Sequence, residues 1–325
     1  MITAVRALGR ATVVAIVVAL FGVWFVLPTK PATAATRSSA PRRSPSPLRI
    51  ALTFDDLPST AELPPGYSAS RLIGELVAAL QRHRVSSATG FVIGERALSD
   101  ADARAALSLW THAGFEVGNH TYSHLSLEHA EASDYVADLG RMEPLMRALE
   151  HETRQTTRWF RYPFLEEGMV DGDRRAVLAA VGGLGYLNAR VSLDFADWAF
   201  ADAYARCLQN PEHLRTLERS YLQFAHETLL WSERLAHGLV GRPLAHVLLL
   251  HANVATARLL DQLLTQYEAE GASFVSLTEA LADPLYQAPN ESGLGNALTA
   301  AGAAVGVRAP ASLEPPLELL DLACR

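Results

Sequence analysis

The sequence predicts an α/β fold, a distorted (β/α) barrel of about seven units, and three observations predict it. Short apolar runs alternate with amphipathic helical stretches between residues 48 and 285. That alternation is the signature of a mainly parallel sheet covered by helices. The number of units in that length fits a closed or nearly closed barrel, with an open doubly wound sheet as the alternative. The composition, 49% hydrophobic and 19% charged, is that of a globular chain rather than a disordered one.

Each element has its own signal. Leu48–Phe54 reads as a buried strand with Ile50, Leu52 and Phe54 on one face. Ser70–Arg84 is a helix, because Leu72, Ile73, Leu76, Val77 and Leu80 recur at helical spacing. Ala88–Ile93 is the second strand, and Asp100–His112 is a helix stopped by Gly114. Phe115–Asn119 is the third strand, and Leu127–Glu150 is a long, mostly polar helix. Trp159–Tyr162 is the fourth strand, followed by a helix over Asp171–Gly182. Tyr186–Leu193 is the fifth strand, and Ala201–Gly238 is largely helical. His246–Leu250 is the sixth strand. The helix Thr256–Gly271 turns Leu259, Leu260, Leu263, Leu264 and Tyr267 inward and leads to Phe274–Leu277. The tail, residues 286–325, is rich in Pro, Gly and Ala and is assigned no structure.

The N-terminus reads as an export segment. Arg6 and Arg10 precede an uncharged apolar stretch from Ala11 to Leu27, and Ala32-Thr33-Ala34 is a small-x-small cleavage pattern. Residues 1–34 are therefore a signal peptide or, if uncleaved, a membrane anchor, and residues 35–47 are a flexible linker. Either reading puts the domain outside the cytoplasm: periplasmic, secreted or anchored. Cys207 and Cys324 are the two cysteines, and the sequence leaves open whether they pair. A net charge of −7 argues against a nucleic-acid partner, which needs clustered Lys and Arg. Contact with a membrane is expected only through the N-terminal segment, if it is uncleaved.

Reactive residues should collect where strands end. Asp55 and Asp56 are adjacent carboxylates at the end of the first strand, which taken alone also fits a solvated pair opening a turn at Pro58. His120 and His124, at i,i+4 spacing after the third strand, could reach one cation from one face of a helical turn. A carboxylate and two imidazoles make the three-ligand shell of an open, catalytic metal site, and a second carboxylate is left as base. Arg161-Tyr162-Pro163-Phe164, Asp194-Phe195-Ala196-Asp197-Trp198 and Leu248-Leu249-Leu250-His251 follow the later strands. Alone, these fit a surface cation, a helix cap with a core tryptophan, and a buried histidine.

In this order the five segments resemble the motifs of the polysaccharide deacetylase family, the NodB-homology or carbohydrate esterase family 4 domain, over residues 48–281. The resemblance implies a NodB-like barrel and a metal-dependent hydrolase that removes N-acetyl or O-acetyl groups from a poly- or oligosaccharide. By that resemblance Asp55 is the base, Asp56, His120 and His124 hold the metal, and Arg161 holds the base carboxylate. Asp194 joins the arginine–aspartate–histidine network and would raise the pKa of His251, the general acid. Trp198 lines the substrate groove, and the backbone N–H of Phe164 helps bind the oxyanion. The metal is expected to be zinc, with cobalt and nickel suited to the same donors.

Three features depart from the pattern. Leu57 stands where the family usually has Gly, Phe164 stands where it often has Tyr, and the span from Trp198 to His251 is long. These keep two alternatives open: a hydrolase of another non-peptide C–N bond on the same fold, and a catalytically weak carbohydrate-binding protein.

Overall fold

The computed structural model describes residues 48–60, 63–288, 290, 293, 295–308 and 313–324. The expected export segment (residues 1–34) and linker (residues 35–47) lie outside them. Among the described residues no helix is long and apolar enough to cross a membrane.

The first half of the chain runs β1 (Leu48–Leu57), α1 (Ala69–Arg82), β2 (Ala88–Val92), α2 (Gly94–Ala97), α3 (Ala101–His112), β3 (Glu116–Asn119), α4 (Ala132–Arg141), α5 (Glu143–Thr153), β4 (Trp159–Phe160) and α6 (Asp171–Gly183). The second half runs β5 (Leu187–Asn188), β6 (Leu193–Asp194), α7 (Ala201–Arg206), α8 (Pro211–Val240), β7 (Ala245–His251), α9 (Val254–Ala269), β8 (Ala272–Phe274), α10 (Leu277–Leu281), α11 (Pro284–Gln287), α12 (Ala297–Ala304) and α13 (Leu317–Leu322). The strand order is β5-β4-β3-β2-β1-β7-β6, with β8 paired to the start of β1, and every pairing is parallel. This is the expected distorted (β/α) barrel, incompletely closed.

The two faces of the central strands explain where chemistry can sit. Ile50, Leu52 and Phe54 of β1, with Leu248 and Leu250 of β7, pack against the outer helices. Ala51, Val247 and Leu249 point to the other side, where they meet Phe91, Trp159 and Tyr286. Side chains alternate along a strand, so that inner face continues through Thr53 to Asp55 in β1 and to His251 in β7. Asp55 and His251 are direct neighbours in the register of the two strands.

Three elements differ from expectation. The long polar helix is two helices, because Pro144 opens α5 and has no N–H with which to continue α4. The fifth strand splits because the chain changes partners. Ala189 N–H donates to Phe160 O on β4, whereas Ser192 N–H donates to Val247 O on β7.

The tail is also structured. Among the described residues β5 and β6 do not pair, and Asn296 bridges to Val191 in that seam. There Val191 N–H donates to Gly295 O and Ala297 N–H to Val191 O. The buried Tyr286 hydroxyl donates to Ala245 O at 2.8 Å.

Cys207 and Cys324 form a disulfide with Cα atoms 5.4 Å apart, and Arg206 Nη2 donates to Leu320 O at 2.7 Å beside it. The bond closes a loop with a sequence separation of 117, which restricts the unfolded chain. Cys324→Ser is therefore expected to cost about 2–5 kcal/mol of stability, measured by denaturant unfolding under oxidising conditions.

Candidate active site and metal centre

Asp55 and Asp56 are adjacent, and in a regular strand they would point to opposite faces. The pairing of β1 with β2 slips between Phe54 and Leu57, and Asp56 takes a left-handed φ of 66°. A short polar side chain tolerates that conformation. The bulge turns both carboxylates into one cavity of about 630 Å³. Leu57, the departure from the family pattern, is fully buried and does not line that cavity. Its side chain lies over Gly90 of β2, where an added Cβ would sit 2.4 Å from Leu57 Cδ2. The missing side chain at position 90 makes room for the extra one at position 57.

His120 and His124 lie in an irregular loop, not on the helical turn expected from their spacing. Left-handed residues at Thr121 and His124 bend the chain back on itself. The buried Asp138 carboxylate fixes the bend by accepting from Tyr122 N–H, Ser123 N–H and Ser123 Oγ. Both imidazoles nevertheless approach the Asp56 carboxylate. His124 Nε2 is 3.1 Å and His120 Nε2 is 3.4 Å from Asp56 Oδ1. His120 Nδ1 lies 2.8 Å from Arg161 O. A carbonyl only accepts, so Nδ1 carries the proton and Nε2 keeps a lone pair directed at Asp56.

One donor atom from each of Asp56, His120 and His124 lies within 4.8 Å of the others. Asp56 Oδ1 is buried between the imidazoles without a hydrogen-bond partner. Two neutral imidazole nitrogens and a carboxylate oxygen around an unsatisfied buried acceptor fit a divalent cation such as zinc. Burial works against a charge on Asp56, yet His120, His124 and the charge of His251 hold its carboxyl well below the usual range. Burial pushes His124 below its ordinary value against the pull of Asp56, favouring the neutral form that can ligate.

Asp55 stands beside this centre. Its Oδ1 accepts from Arg161 Nη1 at 2.7 Å, and its Oδ2 lies 3.6 Å from His120 Nε2. Arg161 is fully buried and is fixed by Thr53 Oγ1, Ala189 O and the ring of Phe91, 4.2 Å from its guanidinium carbon. Arg161 thus holds the Asp55 carboxylate in place.

The carboxylate that orients His251 is Asp197 rather than Asp194. Asp197 Oδ1 is 2.7 Å from His251 Nδ1, and Oδ2 accepts from His251 N–H, Asn253 Nδ2 and Thr256 Oγ1. Burial disfavours a charged His251, but Asp197 overrides it and the imidazole is pushed up to about 10. Asp194 accepts from Ala196 N–H two residues on, in a local turn, and it acts on His251 and Arg161 through its charge. It still lines the cavity, where burial raises its carboxyl above the ordinary value.

The sequence profile of the family described as Polysaccharide deacetylase matches residues 42–183, which include Asp55, Asp56, His120, His124 and Arg161. Over that span the chain is similar to the polysaccharide deacetylase family. No curated protein sequence matches it.

Among solved structures, the chitin deacetylase of Colletotrichum lindemuthianum is 23% identical with a TM-score of 0.50. That match covers 74% of this chain and 89% of the other. The family 4 carbohydrate esterase of Streptomyces lividans, in complex with acetate, is 18% identical over 71% of this chain and 95% of its own, with a TM-score of 0.46. A mutant of BA3943, a carbohydrate esterase family 4 pseudoenzyme from Bacillus anthracis, has restored activity and is 21% identical. Its match covers 73% of this chain and 69% of that one, with a TM-score of 0.49. At 23% identity the match to the chitin deacetylase speaks to the fold alone.

Phe164 and Trp198 line the cavity and are 61% and 52% exposed. The Phe164 ring meets His124 edge to face at 4.5 Å, and its backbone is left-handed at φ 57°. The sequence reading missed Asp197 as the orienting carboxylate and missed Arg96 and Thr60 in the cavity wall. Two aspartates three residues apart look alike until the turn between them is known. Arg96 lies inside a helical stretch with no motif around it.

Proposed function

We propose that this domain is a metal-dependent hydrolase that removes N-acetyl groups from an acetylated carbohydrate. The observation that carries the reading is the division of labour between neighbouring carboxylates. Asp56 lies between two imidazoles, and Asp55 lies beside them tied to Arg161. Asp56, His120 and His124 would hold a divalent cation, which would supply Lewis-acid polarisation of the acetyl carbonyl and of the attacking water.

The chain's own residues do the rest. Asp55, anchored through Oδ1, uses Oδ2 to take a proton from the water as its oxygen bonds to the acetyl carbon. The Phe164 N–H, at the cavity wall, is the proposed partner of the oxyanion. His251, with Nδ1 engaged by Asp197, presents the Nε2 proton to the sugar nitrogen as the C–N bond breaks. Acetate and a free amine leave. Trp198 and Phe164 offer apolar faces to the sugar rings. The same groups would release acetate from an O-acetyl ester.

The test is acetate release from a panel of acetylated chitooligosaccharide, peptidoglycan and xylan, with and without a chelator. Unchanged release after complete metal removal would overturn the reading. The domain is proposed to act outside the cytoplasm, in keeping with the apolar N-terminal stretch and with a disulfide that persists only in oxidising compartments.

The pH dependence has a defined sign. His251 can donate a proton only below its folded pKa, so the rate falls as pH rises through that value. Against burial, Asp197 raises it to about 10, with Asp56 and Asp55 adding to the rise. Asp197→Asn removes the supporting charge and is expected to move the alkaline limb of kcat/KM down by about 1–3 pH units. A pH–rate profile of the two proteins checks this.

A further inference from the structure

Arg96, on α2, is the one guanidinium in the wall of the catalytic cavity, and none of the roles assigned so far needs it. Its Nη1 donates to the carbonyls of Ser59, at 2.8 Å, and Thr60. The same nitrogen is 3.9 Å from Asp56 Oδ2, too far for a hydrogen bond. Nε and Nη2 have no partner among the described residues, and the side chain is 36% exposed. One nitrogen therefore fixes the group to the rim, and among the described residues the rest of its planar fork remains available.

Electrostatics makes this placement informative. Arg96 is not needed to neutralise Asp56 when a divalent cation and two imidazoles surround that carboxylate. A guanidinium this close to a cation repels it and weakens the site. The arrangement becomes favourable when a second anion enters the cavity between them. The guanidinium fork matches a carboxylate, and a partly desolvated pairing is stronger than one in open water.

We propose that Arg96 selects acetylated sugars bearing a carboxylate close to the acetyl group that is removed, either on the same ring or on its neighbour. The proposal rests on the deacetylase reading and adds the charge class of the substrate. Phe164 and Trp198 would take the ring faces, and Arg96 would take the acid.

The experiment uses two matched pairs of N-acetylated oligosaccharides and the intact, zinc-loaded protein. One pair carries an ether-linked lactyl carboxylate on the acetylated ring, and the other carries a uronic acid on the adjacent ring. Each is prepared as the free acid and as its methyl ester. The readout is the acid-to-ester ratio of kcat/KM for acetate release and, separately, of affinity by calorimetry.

In at least one pair the wild-type protein should prefer the acid, and that pair identifies which carboxylate is read. Arg96→Gln should cut the preference about 10–100-fold, chiefly through KM. Arg96→Lys should retain part of it, and added salt should erode it. An acid-to-ester ratio that is the same in wild type and Arg96→Gln for both pairs overturns the proposal. So does an equal loss on acid and ester, which would reduce Arg96 to a tether for residues 59 and 60. If no acetate is released from any of the four, the deacetylase reading fails, and the calorimetric ratio still decides whether Arg96 binds a carboxylate.

Discussion

Asp55→Asn is expected to lower acetate release by about 10²–10⁴-fold while leaving cation affinity close to that of the wild type. The two carboxylates at the end of β1 are adjacent in sequence but differ in what surrounds them. Asp56 Oδ1 lies within 3.4 Å of both imidazole Nε2 atoms, whereas Asp55 is held through Oδ1 by Arg161 and keeps its second oxygen beside the cation site. The amide is nearly isosteric, so Arg161 keeps an acceptor and the fold should persist, but it cannot take a proton from water. Turnover and zinc titration on the same sample separate the roles. Loss of zinc together with activity would make Asp55 a ligand, and retention of both would remove it from the chemistry.

His120→Ala has the opposite profile. Removing one of three donors from the cluster of Asp56, His120 and His124 should weaken cation binding by more than about 100-fold, the upper end of what losing even an outer-shell partner costs. Activity should fall with it and recover in part at high zinc concentration. A competitive chelator titration gives the affinity, and the zinc dependence of the rate gives the recovery. Undiminished zinc affinity would place the cation elsewhere. His120 also bonds Arg161 O, so thermal unfolding of the metal-free proteins should accompany the titration to expose any structural cost.

The fold was legible because its signals are local. Apolar strands such as β1 and β7 and amphipathic helices such as α1 and α9 announce themselves by periodicity. The candidate donor cluster was legible for a different reason: two short segments, each at a strand end, combine into one chemically sensible donor set. What the sequence concealed depends on backbone shape. Asp197 outranks Asp194 only because a left-handed Ala196 turns one carboxylate toward His251 and closes the other on its own loop. His120 and His124 converge through positive φ angles that no spacing rule contains. Leu57 looked disruptive in isolation because its compensation, Gly90, lies on another strand. The Pro/Gly/Ala-rich tail shows no periodicity, yet Asn296 and Tyr286 find partners on distant strands.

The register that sets Asp55 of β1 opposite His251 of β7 has a kinetic consequence. The proposed proton acceptor and proton donor come from segments far apart along the chain, and only long-range parallel pairing brings them together. Such pairing forms late, since distant ends must meet before any contact rewards them. A half-assembled barrel could carry the ligand cluster of β1 and β3 and still be inert. During refolding, zinc uptake should therefore precede the return of turnover, and the lag between them would time the arrival of β7.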